Sequence, residues 1–561
     1  MKSKDLLGRG FFPKELIPPF ISEGLMTHFE DINQKSTSYN YKKTSKGIIY
    51  SMPRLRSSRR KLAIPNPFFQ YKLCNVIEAN WEKIYSVLEL SNASLSKPVV
   101  KSGIKQRALE QKFSYSEIAT RKILYSVSAR YMVYADISRF HGTIYTHSIP
   151  WALHSKIAAK ANRTDDLYGN TIDKYVRDSQ DGQTLGIPTG PDSSFLISEI
   201  IASKIDETLD KQLSSSIKRL RYVDDYYFFC KTLSETEVII SQLTKALSEF
   251  ELELNPDKTR VIELPVEFEP NWVSNLRLYK FSSNKKKQKI DIINYFSKVF
   301  SYSRNFPNDF VIKYAITRIK NKQFHKNNWR VYESLLLQSL LSEPSVIQVV
   351  LEIFLKYRDA GYNLKKSDIK STLYTIYDNN IVHSNTYEIL WSIWVARSLE
   401  ININREYAKK LVEMDDPLVS LVIKDMQRIN LINSNINTTL WNRHETFESL
   451  FSEHWIYAYE TYVNGEVSTQ DRYINRSTFY KALETNSVRF YDSTRQIEVE
   501  AFESFEDEIS TKIVKVINEI KNRLSQLEEQ RGNIEVLEDI EELIEELNTA
   551  NENLEGKNGY F

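Results

Sequence analysis

"LRYVDDYYFFCKT", residues 220–232, sets two adjacent carboxylates, Asp224 and Asp225, inside a run of strand formers. Tyr222-Val223 stand before them and Tyr226-Tyr227-Phe228-Phe229 after them. Two neighbouring negative charges repel, so their place at the tip of an apolar hairpin needs a cause. One cause is local: an Asp-Asp step can form a two-residue hairpin turn, because Asp tolerates unusual backbone angles and bonds to its own backbone. The other is chemical: carboxylates held at a hairpin tip can share divalent cations, and Mg²⁺ takes hard oxygen ligands and substrate phosphates. A third carboxylate on another strand separates the two readings.

"YMVYADISRF" supplies that carboxylate. Asp136 follows the strand signal at residues 131–135 and stands 88 residues before Asp224. Three acids so placed can converge on a metal pair, which stabilises the attacking and leaving oxygens of an in-line phosphoryl displacement. One ion would activate a hydroxyl nucleophile and the other would hold an incoming triphosphate. Between these stretches, "QTLGIPTGPDSSFLISEI" places a Gly-Pro-Gly turn before a helix, a backbone that can approach a nucleotide closely.

The composition is that of a globular chain, 41% hydrophobic and 26% charged over 561 residues, a length that predicts two or three domains. No apolar run approaches the ~20 residues of a membrane span, and "MKSKDLLGRGFFPKELIPPF" lacks the apolar core of a signal peptide. Cys74 and Cys230 are too few for a disulfide framework or a Cys-based zinc site. The expectation is a soluble cytoplasmic protein without a membrane partner. The net charge of +2 conceals an asymmetry: residues 505–561 carry 15 acids against 6 bases, which leaves +11 on residues 1–504. Residues 41–61 hold eight bases and no acid, and "KKKQK" spans Lys285–Lys289. A basic body with an acidic tail fits polyanion binding, although a charge run is equally a solvated face.

Residues 1–130 mix short helical patterns with Pro-punctuated loops. Residues 131–280 alternate strand and helix: "YMVYADI" reads as a strand, "IPWALHSKIAAKA" as one helix opened by Pro150, and "SSFLISEIIASKIDETL" as an amphipathic helix. "IKRLRYVDDYYFFCKT" reads as a hairpin, followed by a helix and a turn-strand over "LELNPDKTRVIEL". Residues 281–500 are helical throughout, in pairs about 40 residues long that suggest a HEAT-like solenoid. Residues 501–561 form an acidic helical hairpin or coiled coil, with apolar positions at Ile509, Ile513, Val516 and Ile520, a break at Gly532, and a second run from Ile534.

The motifs resemble those of the reverse transcriptases: "YADISRF" stands in the place of motif A, "GIPTGPDSS" of motif B, "YVDD" of motif C and "LNPDKT" of motif D. "RRKLAIPNPFFQ" resembles the fingers segment. "TIYTHSIPW" and "RGFFPKELIPPF" look like the bacterial abortive-infection and defence-associated members. The resemblance implies an α+β right-hand fingers-palm fold, an all-α helical-repeat domain and a C-terminal helical hairpin. It makes Asp136, Asp224 and Asp225 the catalytic, metal-binding triad of a two-Mg²⁺ site. Nucleotide-binding roles fall to Arg60 for the triphosphate, with Arg59 and Lys61 as register alternatives, and to Phe140 as the sugar gate, with His141 as the alternative. Thr189 and Gly190 belong to the nucleotide side of motif B. Lys258 is either the general acid for pyrophosphate or a solvated turn lysine.

Departures from the pattern accompany the match. Thr189 replaces the usual Gln of motif B, and residues 268–281 show no Leu-Gly thumb grip. The resemblance therefore implies DNA synthesis from deoxynucleoside triphosphates either without a conventional template or on a small non-coding RNA. It also implies a DNA product attached to a tyrosine primer, a homo-oligomer and a role in antiphage defence. A retron- or group II intron-like enzyme, or a scaffold with a decayed palm, are the alternatives. Residues 290–500 are expected to line a groove for the DNA product, with Trp391 and Trp394 either on that surface or in helix-packing core. His141, His147 and His154 lie within 14 residues at spacings that match no zinc motif, and His147 and Trp151 read as braces.

Overall fold

The computed structural model describes residues 1–36, 41, 43–54, 58–103, 105–432 and 435–502. The expected acidic hairpin therefore lies, but for its first two residues, outside the described part of the chain. Eight strands are present among the described residues: β1 (Ile48–Pro53), β2 (Arg59–Ile64), β3 (Pro98–Val100), β4 (Leu109–Gln111), β5 (Tyr131–Asp136), β6 (Lys218–Tyr222), β7 (Asp225–Cys230) and β8 (Arg260–Glu263). β1–β2 and β3–β4 are two-stranded pairs, and the rest form one antiparallel sheet in the order β6-β7-β5-β8.

The near-continuous apolar character of β5 and β7 follows from burial on both faces. Val133 and Ala135 face the main core with Tyr226, Phe228 and Cys230, beneath the helices Asp192–Gln212 and Leu233–Ser248. Met132, Leu220 and Phe229 point the other way, onto Leu95 and Ile118. The aromatic run after the two acids is thus core strand, with Tyr226 and Phe228 both 0% exposed.

The expected single helix over residues 149–161 is two. Ser148–His154 ends at Ser155, whose φ of +87° breaks the screw, and Lys156–Ala161 restarts with the Ser155 side chain capping Ala158 N. Left-handed backbone at a serine carries no sequence signal, so the break is invisible to periodicity.

Among the described residues, the chain from Lys285 to Thr485 is mostly helical, as the apolar periodicity predicts. Helices Lys285–Asn305, Lys326–Ser342 and Lys366–Asn380 pack in succession as one layer; Val311–Ile319, Ile347–Asp359 and Thr386–Ser398 succeed one another as a second. Trp391 and Trp394 are 1% and 0% exposed. They are buried core, Trp391 against the N-terminal segment, and offer no groove surface. The N-terminal segment binds the two halves of the chain together. Phe11 stacks on Trp455 (6.4 Å), Ile21 N donates to Phe490 O (3.1 Å) and Asp492 N to Pro19 O (2.8 Å). One continuous apolar cluster runs from Leu6 to Tyr491, so the sequence segments do not correspond to separate cores.

Candidate active site

Tyr222 and Asp225 face each other across β6 and β7, so the two-residue turn is Val223-Asp224 and not the Asp-Asp step. Val223 sits at φ +56°, which is strained for a β-branched residue. Two groups hold it there: Ser96 Oγ accepts from Val223 N (2.8 Å) and Arg221 donates to Val223 O (3.0 Å). The stagger sends the two acids to different anchors. Asp225 opens β7 as the direct cross-strand partner of Asp136, the last residue of β5. Asp224 stays at the tip, its carbonyl accepting from Ile137 N (3.1 Å). Three carboxylates from two sequence segments thereby meet at one end of the sheet.

The "LNPDKT" turn closes over Asp136. Asn255 N donates to Asp136 O (2.8 Å), Asn255 Nδ2 to Oδ1 (3.1 Å) and Lys258 Nζ to Oδ2 (2.8 Å). Asp136 is 5% exposed, while the Lys258 side chain is half exposed and free to swing away. Tyr134 OH donates to Asp225 Oδ1 (2.6 Å). Burial raises the Asp224 carboxyl to about 6, with the charges of Asp225 and Asp136 adding to the shift. Burial also raises Asp225, against the hydroxyl of Tyr134. The three crowded carboxylates have one ion pair, to the half-exposed Lys258 ammonium, while Arg60 and Lys122 act on Asp224 and Asp225 through their charges, and the hard oxygens of the three acids fit a divalent cation.

β2 resolves the register of its basic run. Arg59 forms a bidentate pair with Glu388 of the helical half (2.7 Å to each oxygen) and donates to Ser51. Alternation turns Arg60 to the opposite face, where the charge of Asp224 acts on it and its own charge acts on His141. Burial first, and Arg60 second, lower His141 to about 4, leaving it neutral at physiological pH. Phe140 is 2% exposed, its ring 5.5 Å from that of His141. Thr189 O accepts from Ala63 N (2.8 Å), which joins motif B to β2. Gly190, at φ +133°, leaves no room for a Cβ, which would lie 2.7 Å from Pro13 Cγ. Lys61, Ala63 and Thr189 share a cleft of about 480 Å³ with Gly142 and Gly186.

Several site-supporting residues are not evident from the motifs. Tyr134 and Asn255 lie within the motif A and motif D stretches, where the motifs assign them no role, and their polar side chains beside the acids are the available signal. Lys122 carries none: its ammonium lies 3.8 Å over the Tyr227 ring, and burial lowers it to about 8 against the pull of Asp225. Arg221, fully buried, donates to Glu199 (2.9 and 3.1 Å) and Asp206 (2.8 Å) beneath the hairpin.

The three histidines do not converge. His147 meets Asp173, His154 Nε2 accepts from Gly169 N (3.0 Å), and His141 lies under Phe140. A different group, Asp415, His444 and His454, brings ligand atoms within 4.8 Å of one another in the helical half. Its imidazoles stack face to face at 3.5 Å, so their in-plane lone pairs do not point at one common ion.

Residues 86–290 match the family described as Reverse transcriptase (RNA-dependent DNA polymerase). Residues 86–290 therefore carry a reverse transcriptase domain, and a mostly helical remainder follows it. No curated protein matches the sequence. Among solved structures, apo telomerase from Candida tropicalis truncated from its C-terminal domain aligns over 40% of this chain and 51% of its own, at 14% identity and a TM-score of 0.30. The chain thus spans about half of that structure. Apo telomerase from Candida tropicalis aligns over 63% of this chain and 69% of its own (12%, 0.32). Telomerase from Candida albicans in complex with a fragment of telomeric RNA aligns over 62% and 68% (12%, 0.29). No helix among the described residues is long and apolar enough to cross a membrane.

Proposed function

We propose that the protein is a DNA polymerase, RNA-directed or template-independent, that acts in bacterial antiphage defence. The meeting of Asp136, Asp224 and Asp225 at one sheet end carries this reading, since a scaffold with a decayed palm would have no reason to retain all three. In this assignment the three acids would hold Mg²⁺, which would supply positive charge to stabilise the displacement. The nucleophilic hydroxyl loses its proton to solvent as its oxygen bonds to the α-phosphorus of a deoxynucleoside triphosphate, and the bond to pyrophosphate breaks. Lys258, released from Asp136, gives the leaving pyrophosphate a proton. Arg60 pairs with the triphosphate from the fingers hairpin, Thr189 and Gly190 flank the nucleotide, and Phe140 excludes a 2′-hydroxyl.

The two helix layers after residue 285 support the HEAT-like reading, and the motif resemblance supports the defence role. A tyrosine-linked product, a small RNA partner, a homo-oligomer and a cytoplasmic location belong to the same proposal. Asp224→Asn with Asp225→Asn should abolish dNTP incorporation while leaving the melting temperature near that of the parent. An active double variant would refute the assignment.

A further inference from the structure

His147 and Trp151 of "THSIPW" do more than brace the fold: they line an open pocket of about 610 Å³, a size suited to a nucleotide-sized group. The pocket lies in the helical insertion between motifs A and B. It is built around Asp173, which is 3% exposed. One carboxylate oxygen meets His147 Nδ1 (2.7 Å), and the other accepts from Arg177 Nε (3.1 Å). A buried acid thus fixes the orientation of a histidine and an arginine at once. His147 keeps its Nε2 for a ligand, and Arg177 keeps its two terminal amino groups, whose planar fork suits a phosphate.

The other charges in the pocket leave a cationic surplus. Lys174 is paired with Asp165 (3.0 Å), and Asp178 is the remaining acid, under the influence of Arg177 and Lys174. Lys160 lies 5.9 Å over the Trp151 ring with no ion pair, and among the described residues Arg163 makes none either. Tyr145 packs edge-on against both His147 (4.9 Å) and Trp151 (5.7 Å), which gives the cations an aromatic wall. Phosphate-seeking cations beside aromatic rings are what single-stranded nucleic acid requires.

The pocket also adjoins the cleft at motif B. Ser45 N donates to Asp178 O (2.7 Å), Asp181 N donates to Ser45 O (2.8 Å), and Lys46 and Asp181 then line that cleft. On the near side, Tyr145 forms a bridge with Leu185, which also lines it.

We infer that this pocket holds a backbone phosphate and a base of a single-stranded polynucleotide, continuing the cleft lined by Thr189 and Lys61 away from the reacting atoms. The inference rests on the polymerase reading for its role, but its test is a binding measurement.

Lys160→Gln with Arg163→Gln changes two exposed side chains, so melting temperature should match the parent. Fluorescence anisotropy of labelled 12-nucleotide single strands, one of DNA and one of RNA, is followed across a salt series. At low salt we expect roughly tenfold weaker binding. The salt slope should shrink by about 1.4, since each phosphate that a cation neutralises on a single strand adds ~0.7 to it. Arg177→Gln should weaken binding in the same direction. Unchanged affinity and slope in both variants would overturn the inference, as would a parent protein that binds neither strand. Displacement of the strand by dATP at equal phosphate concentration would also overturn it, because the pocket would then serve a free nucleotide. Asp224→Asn with Asp225→Asn should leave this binding intact, so failure of the polymerase reading and failure of the pocket are seen separately.

Discussion

Arg221 offers the sharpest test of how the hairpin that carries Asp224 and Asp225 is held. Its guanidinium is 0% exposed and donates to Glu199, Asp206 and the carbonyl of Val223. Ser94 and Ser96 complete the shell of Glu199 (2.9 and 2.7 Å), and Ser91 donates to the same Asp206 oxygen that Arg221 meets. Arg221→Met keeps the apolar stem and removes the charge, which leaves two carboxylates buried without their cation. Breaking a buried ion pair in this way costs about 3–5 kcal/mol. At roughly 1 °C per kcal/mol for a chain of this length, the melting temperature should fall by roughly 3–5 °C.

The loss resides in orphaned charge and not in lost volume. Adding Glu199→Gln and Asp206→Asn, which keep oxygens for the serines, should therefore recover at least half of it. The triple variant should still incorporate nucleotides about fivefold more slowly, because no donor reaches Val223 O and a hydrogen bond is worth about 1 kcal/mol. Differential scanning calorimetry and single-nucleotide incorporation measure the two effects. A single variant that melts within a degree of the parent would refute the reasoning, as would a triple variant no more stable than the single.

Glu460 is 1% exposed, and burial raises its carboxyl to about 7. The folded state then holds a proton that the unfolded chain releases near 4.5, so stability falls as pH rises from about 4.5 to 7. Glu460→Gln, which keeps an acceptor for Phe490 N, should melt higher than the parent at pH 8, by up to ~3 kcal/mol, and lose that advantage at pH 4.5; an equal difference at both pH values would refute the shift. Phe140→Ala should raise ATP incorporation relative to dATP and also cost ~3–5 kcal/mol as a core cavity. Lost stability with an unchanged ratio would make Phe140 a packing residue and leave the gate to His141.

Much of the site was legible in local sequence. Strand alternation, a polar break and a Gly-Pro-Gly turn act over a few residues, so β5, β7 and the motif B helix follow from short windows. Asp136, Asp224 and Asp225 stood out because charge in an apolar strand requires compensation. Tertiary structure decided what local windows cannot contain. Which of Arg59 and Arg60 faces the acids depends on Glu388, 329 residues beyond Arg59. Which of Val223 and Asp225 completes the turn depends on cross-strand register, and a one-residue slip would have reversed the faces of the strand. Trp391 and Trp394 became core because a second helix layer and the carbonyl of Glu15 meet them, the latter through Trp391 Nε1 (2.9 Å). The pocket at Asp173 joins a helical residue to one 26 positions earlier, at the cap of another helix, and periodicity reports only that each helix has a face. A sequence states which charges need partners; only the folded chain supplies the distances that choose among them.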